Sequence, residues 1–241
     1  MLFSMAAAPP WPAHAAVADI TKQYTPGRKL GAGANGIVFE ATHIAKKQLV
    51  AIKVYKKGNL PAKELEDLQT EIALLRRLSH PHLVGFIEML HDAAHVYLVL
   101  EHLSGGDLFD VLHDHGALDE GHARVTFAQC LLAVEYLHAL AVVHRDIKAE
   151  NVCFDGPFFS GGRAKLVDVG SSDTCDSQGL TGLVGTPQYC APEIVTGFSE
   201  LAGRLPTLEP YGKPCDLWSI GVVLFEMLSW TLPFKVCCWC W

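Results

Sequence analysis

The sequence predicts an α+β fold with a strand-rich N-terminal part and a mostly helical C-terminal part. Two early segments, 37–42 and 49–54, are rich in β-branched and aromatic residues, which is typical of strands. The segment 61–80 carries apolar residues at helical spacing and predicts an amphipathic helix. The segment 122–140 is apolar on nearly all sides and predicts a helix at the centre of the second part.

Composition and charge narrow the classes of partner. The chain has 26 acidic and 19 basic side chains and a formal net charge of −7, which disfavours nucleic acid or an anionic membrane. No apolar run reaches the about 20 residues of a membrane span. Five of the eight cysteines are scattered singly, which predicts reduced thiols and an intracellular, cytoplasmic protein. The sequence does not indicate an oligomeric state.

A glycine-rich loop is the first candidate for ligand binding. Gly31, Gly33 and Gly36 spell G-x-G-x-x-G, a pattern of nucleotide-binding loops. A dinucleotide fold requires a helix after the glycines, whereas a predicted strand follows here. The glycines therefore predict the turn of a β-hairpin whose backbone amides approach phosphate oxygens. This arrangement makes a dehydrogenase only a distant alternative.

Two charged residues near this loop are candidates for an ion pair. Lys53 stands between apolar residues of the second predicted strand, so its ammonium needs a counter-charge. Glu71 lies beside the apolar stripe of the predicted helix. The pattern allows either a solvated carboxylate at Glu71 or a partner for Lys53.

A second group of polar residues lies between hydrophobic runs in 142–154. Asp146, Lys148 and Asn151 provide a carboxylate, a cation and an amide oxygen. These groups can accept a hydroxyl proton, neutralise a phosphoryl group in transfer and ligate magnesium. Asp168 ends another apolar run in KLVDVG, residues 165–170, which suits a second magnesium ligand on a turn.

These segments together resemble the eukaryotic protein kinase family. The matching pieces are GAGANGIV, AIK ending at Lys53, HRDIKAEN, DVG, APE and DLWSIG, over about residues 24–234. The resemblance implies a two-lobed α+β fold with ATP in the cleft. A disordered Ala/Pro tail, 1–23, is expected to precede an N-lobe, 24–101, with an antiparallel sheet plus one helix. A mostly helical C-lobe, 102–241, is expected to lack the family's last helices.

The resemblance assigns roles residue by residue. Catalysis falls to Asp146, Lys148 and Lys53, and Mg²⁺ binding to Asn151 and Asp168. Asp216 is expected to anchor the catalytic loop. The residues expected around ATP are Leu30, Gly31, Gly33, Gly36, Val38, Ala51, Lys53, Glu71, Glu101 and Leu103.

Several features refine the implied activity. Lys148 and the segment GTPQYCAPE, with Thr186 placed to touch Asp146 and Lys148, are typical of the serine/threonine branch. SGGDLFDVL looks most like the calcium/calmodulin-dependent and cyclic-nucleotide-dependent kinase groups, and the chain as a whole most resembles the calcium/calmodulin-dependent group. The resemblance implies transfer of the ATP γ-phosphate to protein Ser/Thr hydroxyls. In such relatives, acids at the positions of Asp107, Glu150 and Glu226 face basic residues N-terminal to the target hydroxyl, so the resemblance implies substrates with basic residues there. The alternative is that these three residues are solvated surface acids.

Departures from the family pattern keep two other functions open. Val169 stands where the family has Phe, and the chain ends soon after the apolar segment 216–228. We expect an exposed apolar patch on the helix formed by that segment. Arg145 suggests control by a phosphate on the activation loop, but Thr181 is out of register for it. The alternatives are a pseudokinase-type scaffold and an inactive truncated kinase fragment.

Overall fold

The computed structural model describes residues 16–17, 19–33, 36–58, 61–195 and 210–234. They belong to two units, one with the residues up to Ile72 together with Phe86–His102, the other with Ala73–Gly85 and the residues from Leu103 onward. The first unit contains a β-sheet and the second is mostly helical. The predicted α+β class is therefore confirmed.

Six strands form the sheet of the N-terminal unit, in the order β1-β5-β6-β4-β3-β2. All neighbours are antiparallel except β1, which pairs in parallel with β5. Side chains alternate between the two faces of a strand, so one face can form a core. The strands are β1 Ala16–Val17, β2 Tyr24–Gly33, β3 Gly36–His43, β4 Leu49–Lys56, β5 Phe86–His91 and β6 His95–Glu101. The core of this face contains Tyr24, Ala41, Val50, Ile52, Leu90, Tyr97 and Val99.

Regular structure begins earlier than the sequence predicts. The strand β1 and a short 3₁₀ helix, Ile20–Lys22, both lie within the segment 1–23 that was expected to be a disordered tail. The side chain of Ile20 packs against the sheet core. The tail prediction therefore fails for these residues, while 1–15 and 18 lie outside the described residues.

The amphipathic helix predicted from 61–80 is α1, Ala62–Arg77. Its buried face includes Leu68, Ile72 and Leu75. Glu71 lies on this face because it is three residues after Leu68, close to one helical turn. The helix thus carries one carboxylate into an apolar environment.

Among its described residues, the C-terminal unit has three helices with both ends defined, a helical turn at 192–195 and two small sheets. The helices are α2 Leu108–His115, α3 Glu120–Ala139 and α4 Pro214–Ser229. Asp107 and Asp119 cap α2 and α3, because their carboxylates accept backbone N–H groups of the first turn. The strands β7 Val142–Val143, β8 Val152–Phe154, β9 Ala164–Leu166 and β10 Asp173–Thr174 pair as β7-β10 and β8-β9.

The two most apolar helices are not buried all round. On α3, Val125 is 55% exposed and Leu132 is 48% exposed, so the helix predicted at the centre of this unit has one exposed apolar side. On α4, Leu217 and Phe225 are 52% and 46% exposed, so this helix carries exposed apolar side chains, in line with the expectation. Residues 235–241 lie outside the described residues. None of the described helices combines the length and the apolar character that a membrane crossing requires.

Candidate active site

The glycine-rich segment forms the predicted hairpin between β2 and β3. Gly31 pairs with Val38 and Gly33 with Gly36, while residues 34–35 lie outside the described residues. Gly36 has a φ of 142°, and a Cβ at this position would lie 2.6 Å from the carbonyl oxygen of Val54. Only glycine fits there, since both the backbone conformation and the close approach exclude a side chain.

Several residues expected around ATP are brought together by strand register. Val38 of β3 and Leu98 of β6 lie on either side of Lys53 in β4. Ala51 is two residues before Lys53, so both side chains point to the same face of the sheet. Leu30 is 40% exposed. Glu101, at the end of β6, lies opposite Val50.

The predicted partner of Lys53 is confirmed. Its Nζ lies 2.9 Å from Oε1 of Glu71, and the two side chains are only 8% and 4% exposed. The alternative of a solvated carboxylate at Glu71 is therefore wrong. Sequence reasoning missed a third member, Tyr55, whose hydroxyl donates a hydrogen bond to Oε2 of the same carboxylate.

Asp146 is the centre of a polar network in the C-terminal unit. Its Oδ1 accepts a hydrogen bond of 2.7 Å from the hydroxyl of Thr186, and its Oδ2 lies 3.1 Å from Nζ of Lys148. Lys148 also donates to the Thr186 hydroxyl at 2.9 Å. Asn151 donates from Nδ2 to the backbone oxygen of Asp146 at 2.7 Å and to its Oδ2 at 3.2 Å. Three of the residues singled out in the sequence, Lys148, Asn151 and Thr186, therefore meet around the carboxylate of Asp146.

Asp216 of α4 holds the backbone that carries this network. Its side chain is fully buried, and its two oxygens accept the backbone N–H groups of His144 and Arg145, each at 2.9 Å. The ring of His138 in α3 also contacts Oδ2, at 2.8 Å. Arg145 has a left-handed φ of 68°, an unfavourable conformation for this residue type. The buried carboxylate stabilises this turn, as the sequence predicts for the position.

The two expected magnesium ligands lie at the same end of the β8-β9 hairpin. Val152 pairs with Leu166, and the N–H of Val167 donates to the carbonyl of Asn151 at 2.9 Å. Asn151 and Asp168 therefore flank this end of the hairpin. The amide nitrogen of Asn151 is bound to Asp146, so the amide oxygen is the atom suited to a cation. An amide and a carboxylate oxygen fit Mg²⁺, which takes few protein ligands alongside substrate phosphates.

The Arg145 side chain has protein partners. Its Nε donates to the carbonyl of Ser171 at 2.6 Å, and one terminal nitrogen lies 3.4 Å from the carboxylate of Asp173. Thr181 is exposed. The Arg145 guanidinium, which the sequence suggests as the partner of a phosphate on the activation loop, thus contacts the carboxylate of Asp173 in β10.

Two acids of the same unit, Asp107 and Glu226, are each influenced by the charge of Glu150. Glu226 is buried and accepts a hydrogen bond of 2.8 Å from the Tyr189 hydroxyl. Burial raises the pKa of Glu226, and the charge of Glu150 raises it further. Burial also raises the pKa of Asp107, with a contribution from Glu150. Glu150 is exposed. The alternative of a solvated surface acid is therefore wrong for Glu226.

Comparison with known proteins agrees with this arrangement. The model of the protein kinase domain matches residues 24–237. The chain belongs to the protein kinase domain family. The expected resemblance to this family is confirmed, and so is the expected kinase-like fold.

Individual relatives of this kinase domain are protein kinases. It is 37% identical over 218 residues to the Arabidopsis thaliana SNF1-related protein kinase catalytic subunit alpha KIN12, covering 90% of this chain and 41% of that protein. It is 36% identical over 219 residues to the serine/threonine protein kinase OSK3 of Oryza sativa subsp. indica, covering 90% and 40%. It is 37% identical over 216 residues to the rat calcium/calmodulin-dependent protein kinase type 1B, covering 90% and 59%. The kinase domain thus spans about two fifths to three fifths of the length of these relatives.

Proposed function

We propose that this chain is a protein serine/threonine kinase domain that transfers the γ-phosphate of ATP to Ser and Thr hydroxyls of protein substrates. The observation that carries the proposal is the network of Asp146, Lys148 and Thr186, in which a carboxylate, a cation and a hydroxyl are held within hydrogen-bonding distance. Phosphoryl transfer requires positioning and charge stabilisation more than covalent chemistry, and this network provides both.

Each residue of the network has a separate part in the proposed reaction. Asp146 orients the substrate hydroxyl and accepts its proton, because its carboxylate is fixed by Thr186 and Asn151. Lys148 stabilises the negative charge of the phosphoryl group in transfer. Asn151 and Asp168 hold Mg²⁺, which neutralises charge on the phosphate oxygens when bound.

The N-terminal unit provides the groups proposed to position the nucleotide. The glycines at 31, 33 and 36 expose backbone amides to phosphate oxygens. Lys53, fixed by Glu71, binds the α- and β-phosphates. Val38 and Ala51 pack on the adenine, with Leu30 beside them. The backbone of Glu101 binds its edge, together with the backbone of Leu103, the residue at which the C-terminal unit resumes.

The alternative of a pseudokinase predicts nucleotide binding without chemistry. It has little support, because every polar side chain required for transfer is present and Asp146 is bonded to its expected neighbours. The two functions are separated by measuring the MgATP-induced rise in melting temperature together with transfer of labelled phosphate to a peptide library. A kinase gives both signals, whereas a pseudokinase gives at most the first.

We further propose that the substrates carry basic residues N-terminal to the target hydroxyl. The charge of Glu150 acts on both Asp107 and Glu226 and raises the pKa of each. A cluster of like charges favours a cationic ligand, which relieves the repulsion. Arginine suits such a site because its guanidinium stays charged and binds carboxylates with two hydrogen bonds.

Glu150→Gln should raise the KM for an arginine-containing peptide about fivefold, which corresponds to one partly exposed ion pair. The KM for the same peptide with alanine in place of arginine should not change. Because burial raises the pKa values of Asp107 and Glu226, the preference for arginine should weaken on acidification at a higher pH than the titration of exposed carboxyls would give. Steady-state kinetics with both peptides measure this. An equal effect of Glu120→Gln, an exposed acid of α3, would contradict the assignment.

Thr186→Val should lower kcat about tenfold or more, since it keeps the shape but removes the hydroxyl that links Asp146 to Lys148. Thr186→Ser keeps the hydroxyl and should retain most of the activity. The pair is compared by kcat for one peptide, after melting curves establish that both variants are folded. Equal activity of the two variants would show that the hydroxyl has no part in fixing Asp146.

A further inference from the structure

Tyr55 contacts both members of the buried ion pair. It is two residues after Lys53 in β4, so the two side chains lie on the same face of the sheet. Lys53 binds Oε1 of Glu71 at 2.9 Å, and the Tyr55 hydroxyl donates to Oε2. The ammonium of Lys53 also lies 5.4 Å from the centre of the Tyr55 ring. Both oxygens of one carboxylate are therefore occupied by groups from one strand.

We propose that Tyr55 is a positioning residue for the phosphoryl-transfer reaction, which keeps Glu71 and Lys53 in contact before the nucleotide binds. The inference rests on the proposed kinase function, in which Lys53 binds the ATP phosphates. Tyr55 itself touches neither the nucleotide nor the substrate in this account. Its effect on the reaction is transmitted through the position of the Lys53 ammonium.

The physical reason is the cost of burying two charges. A buried ion pair recovers its lost hydration only when the remaining polar atoms are also hydrogen-bonded. With Lys53 alone, the carboxylate of Glu71 would have one oxygen without a donor from β4 and could rotate about its side-chain torsions. A donor on the second oxygen fixes the carboxylate plane, and hydrogen bonds to charged groups are the stronger kind.

The ring of Tyr55 adds a contribution of its own. An ammonium within about 6 Å of an aromatic ring centre is attracted to it, more strongly where water is excluded. Tyr55 is buried, and the side chain of Lys53 is 8% exposed, so this contact is desolvated. Burial raises the pKa of Tyr55, and the carboxylate of Glu71 raises it further. The phenol therefore remains protonated and remains a donor under ordinary assay conditions.

Tyr55→Phe separates the hydroxyl from the ring. It keeps the packing and the cation–π contact and removes only the donor to Glu71. We expect the kcat/KM for MgATP to fall about tenfold, with the KM for the peptide substrate unchanged. The dissociation constant of a fluorescent ATP analogue with Mg²⁺ should rise as well, which provides a readout apart from turnover.

The matched control is Tyr97→Phe. Tyr97 is a second buried tyrosine of the same sheet and lies in β6. Its hydroxyl donates a hydrogen bond of 2.7 Å to the carboxylate of Asp92, in the turn that precedes β6. This variant also removes one tyrosine–carboxylate hydrogen bond, but not one to Glu71. It should therefore leave the MgATP kinetics close to those of the unmodified chain, even if its melting temperature falls by as much as that of Tyr55→Phe.

A double-mutant cycle distinguishes positioning from a general loss of stability. In a Glu71→Gln background, Tyr55→Phe should cause little further change in the MgATP kinetics, since the carboxylate it acts on is gone. The inference would be overturned by any of three results. In the first, Tyr55→Phe keeps MgATP kinetics within about twofold of the unmodified chain. In the second, Tyr97→Phe has as large an effect, and in the third, the effects of Tyr55→Phe and Glu71→Gln are fully additive. A Tyr55→Phe variant that does not fold while Tyr97→Phe does would overturn it as well. If the unmodified chain transfers no phosphate, the proposed function fails, and the analogue-binding comparison still decides the role of Tyr55.

Discussion

Asp146→Asn should lower kcat at least about a hundredfold, in line with the contribution of a positioned general base. Asparagine keeps the size and one acceptor oxygen, so Thr186 or Lys148 can still bind the side chain. It cannot take up the proton of the substrate hydroxyl, and it removes the negative charge that pairs with Lys148 at 3.1 Å. The affinity for MgATP should change little, since the nucleotide is assigned to other residues.

The measurement is kcat for one peptide, with MgATP affinity determined in parallel. Asp155→Asn is the control, because Asp155 is another acid of this unit and its carboxylate binds Arg163 at 2.7 Å rather than the network of Asp146. The control should retain full activity. Unchanged turnover in Asp146→Asn would remove Asp146 from the catalytic role and leave the network without a chemical function.

Asp216→Ala should destabilise the C-terminal unit by about 3–5 kcal/mol, because each buried donor that it leaves unpaired costs about 1–3 kcal/mol. Two backbone N–H groups and the ring of His138 would lose their acceptor inside the protein. Arg145 would also lose the contact that stabilises its left-handed backbone. Activity should fall together with stability, because Asp146 directly follows this turn.

Urea unfolding of the two proteins measures the difference in free energy of unfolding. Asp114→Ala, at an exposed acid of α2, is the control and should change the free energy by less than about 0.5 kcal/mol. A loss below about 1 kcal/mol in Asp216→Ala would show that the turn is stable without the carboxylate.

Local pattern and motif order were sufficient to predict much of the site. The strand of Lys53 is indicated by its β-branched residues, and the helix of Glu71 by apolar residues at helical spacing. The polar residues of 142–154 are indicated by their position between hydrophobic runs. The family resemblance then linked residues far apart in the chain, such as Asp146 with Thr186 and Asp216 with the catalytic loop. These contacts have large sequence separations, which periodicity alone cannot connect.

What the sequence did not predict depends on tertiary packing. Tyr55 has the character of an ordinary strand residue, and only the position of α1 against β4 shows that its hydroxyl meets Glu71. The early strand β1 is two residues long and is stabilised by pairing with β5, so it has no pattern of its own. The exposure of Val125 and Leu132 depends on which elements cover α3 rather than on their hydrophobicity.

The most direct test of the proposed function is transfer of the γ-phosphate from MgATP to three peptides that differ only in the target residue. The peptides carry Ser, Thr or Tyr at one position, with arginines N-terminal to it, and the phosphorylated residue is identified by mass spectrometry. We predict phosphorylation of the Ser and Thr peptides, a far lower rate on Tyr, and loss of the signal in Asp146→Asn or without Mg²⁺. MgATP binding without transfer to any of the peptides, or transfer that survives in Asp146→Asn, would contradict the assignment of this chain as a serine/threonine kinase domain that acts through Asp146.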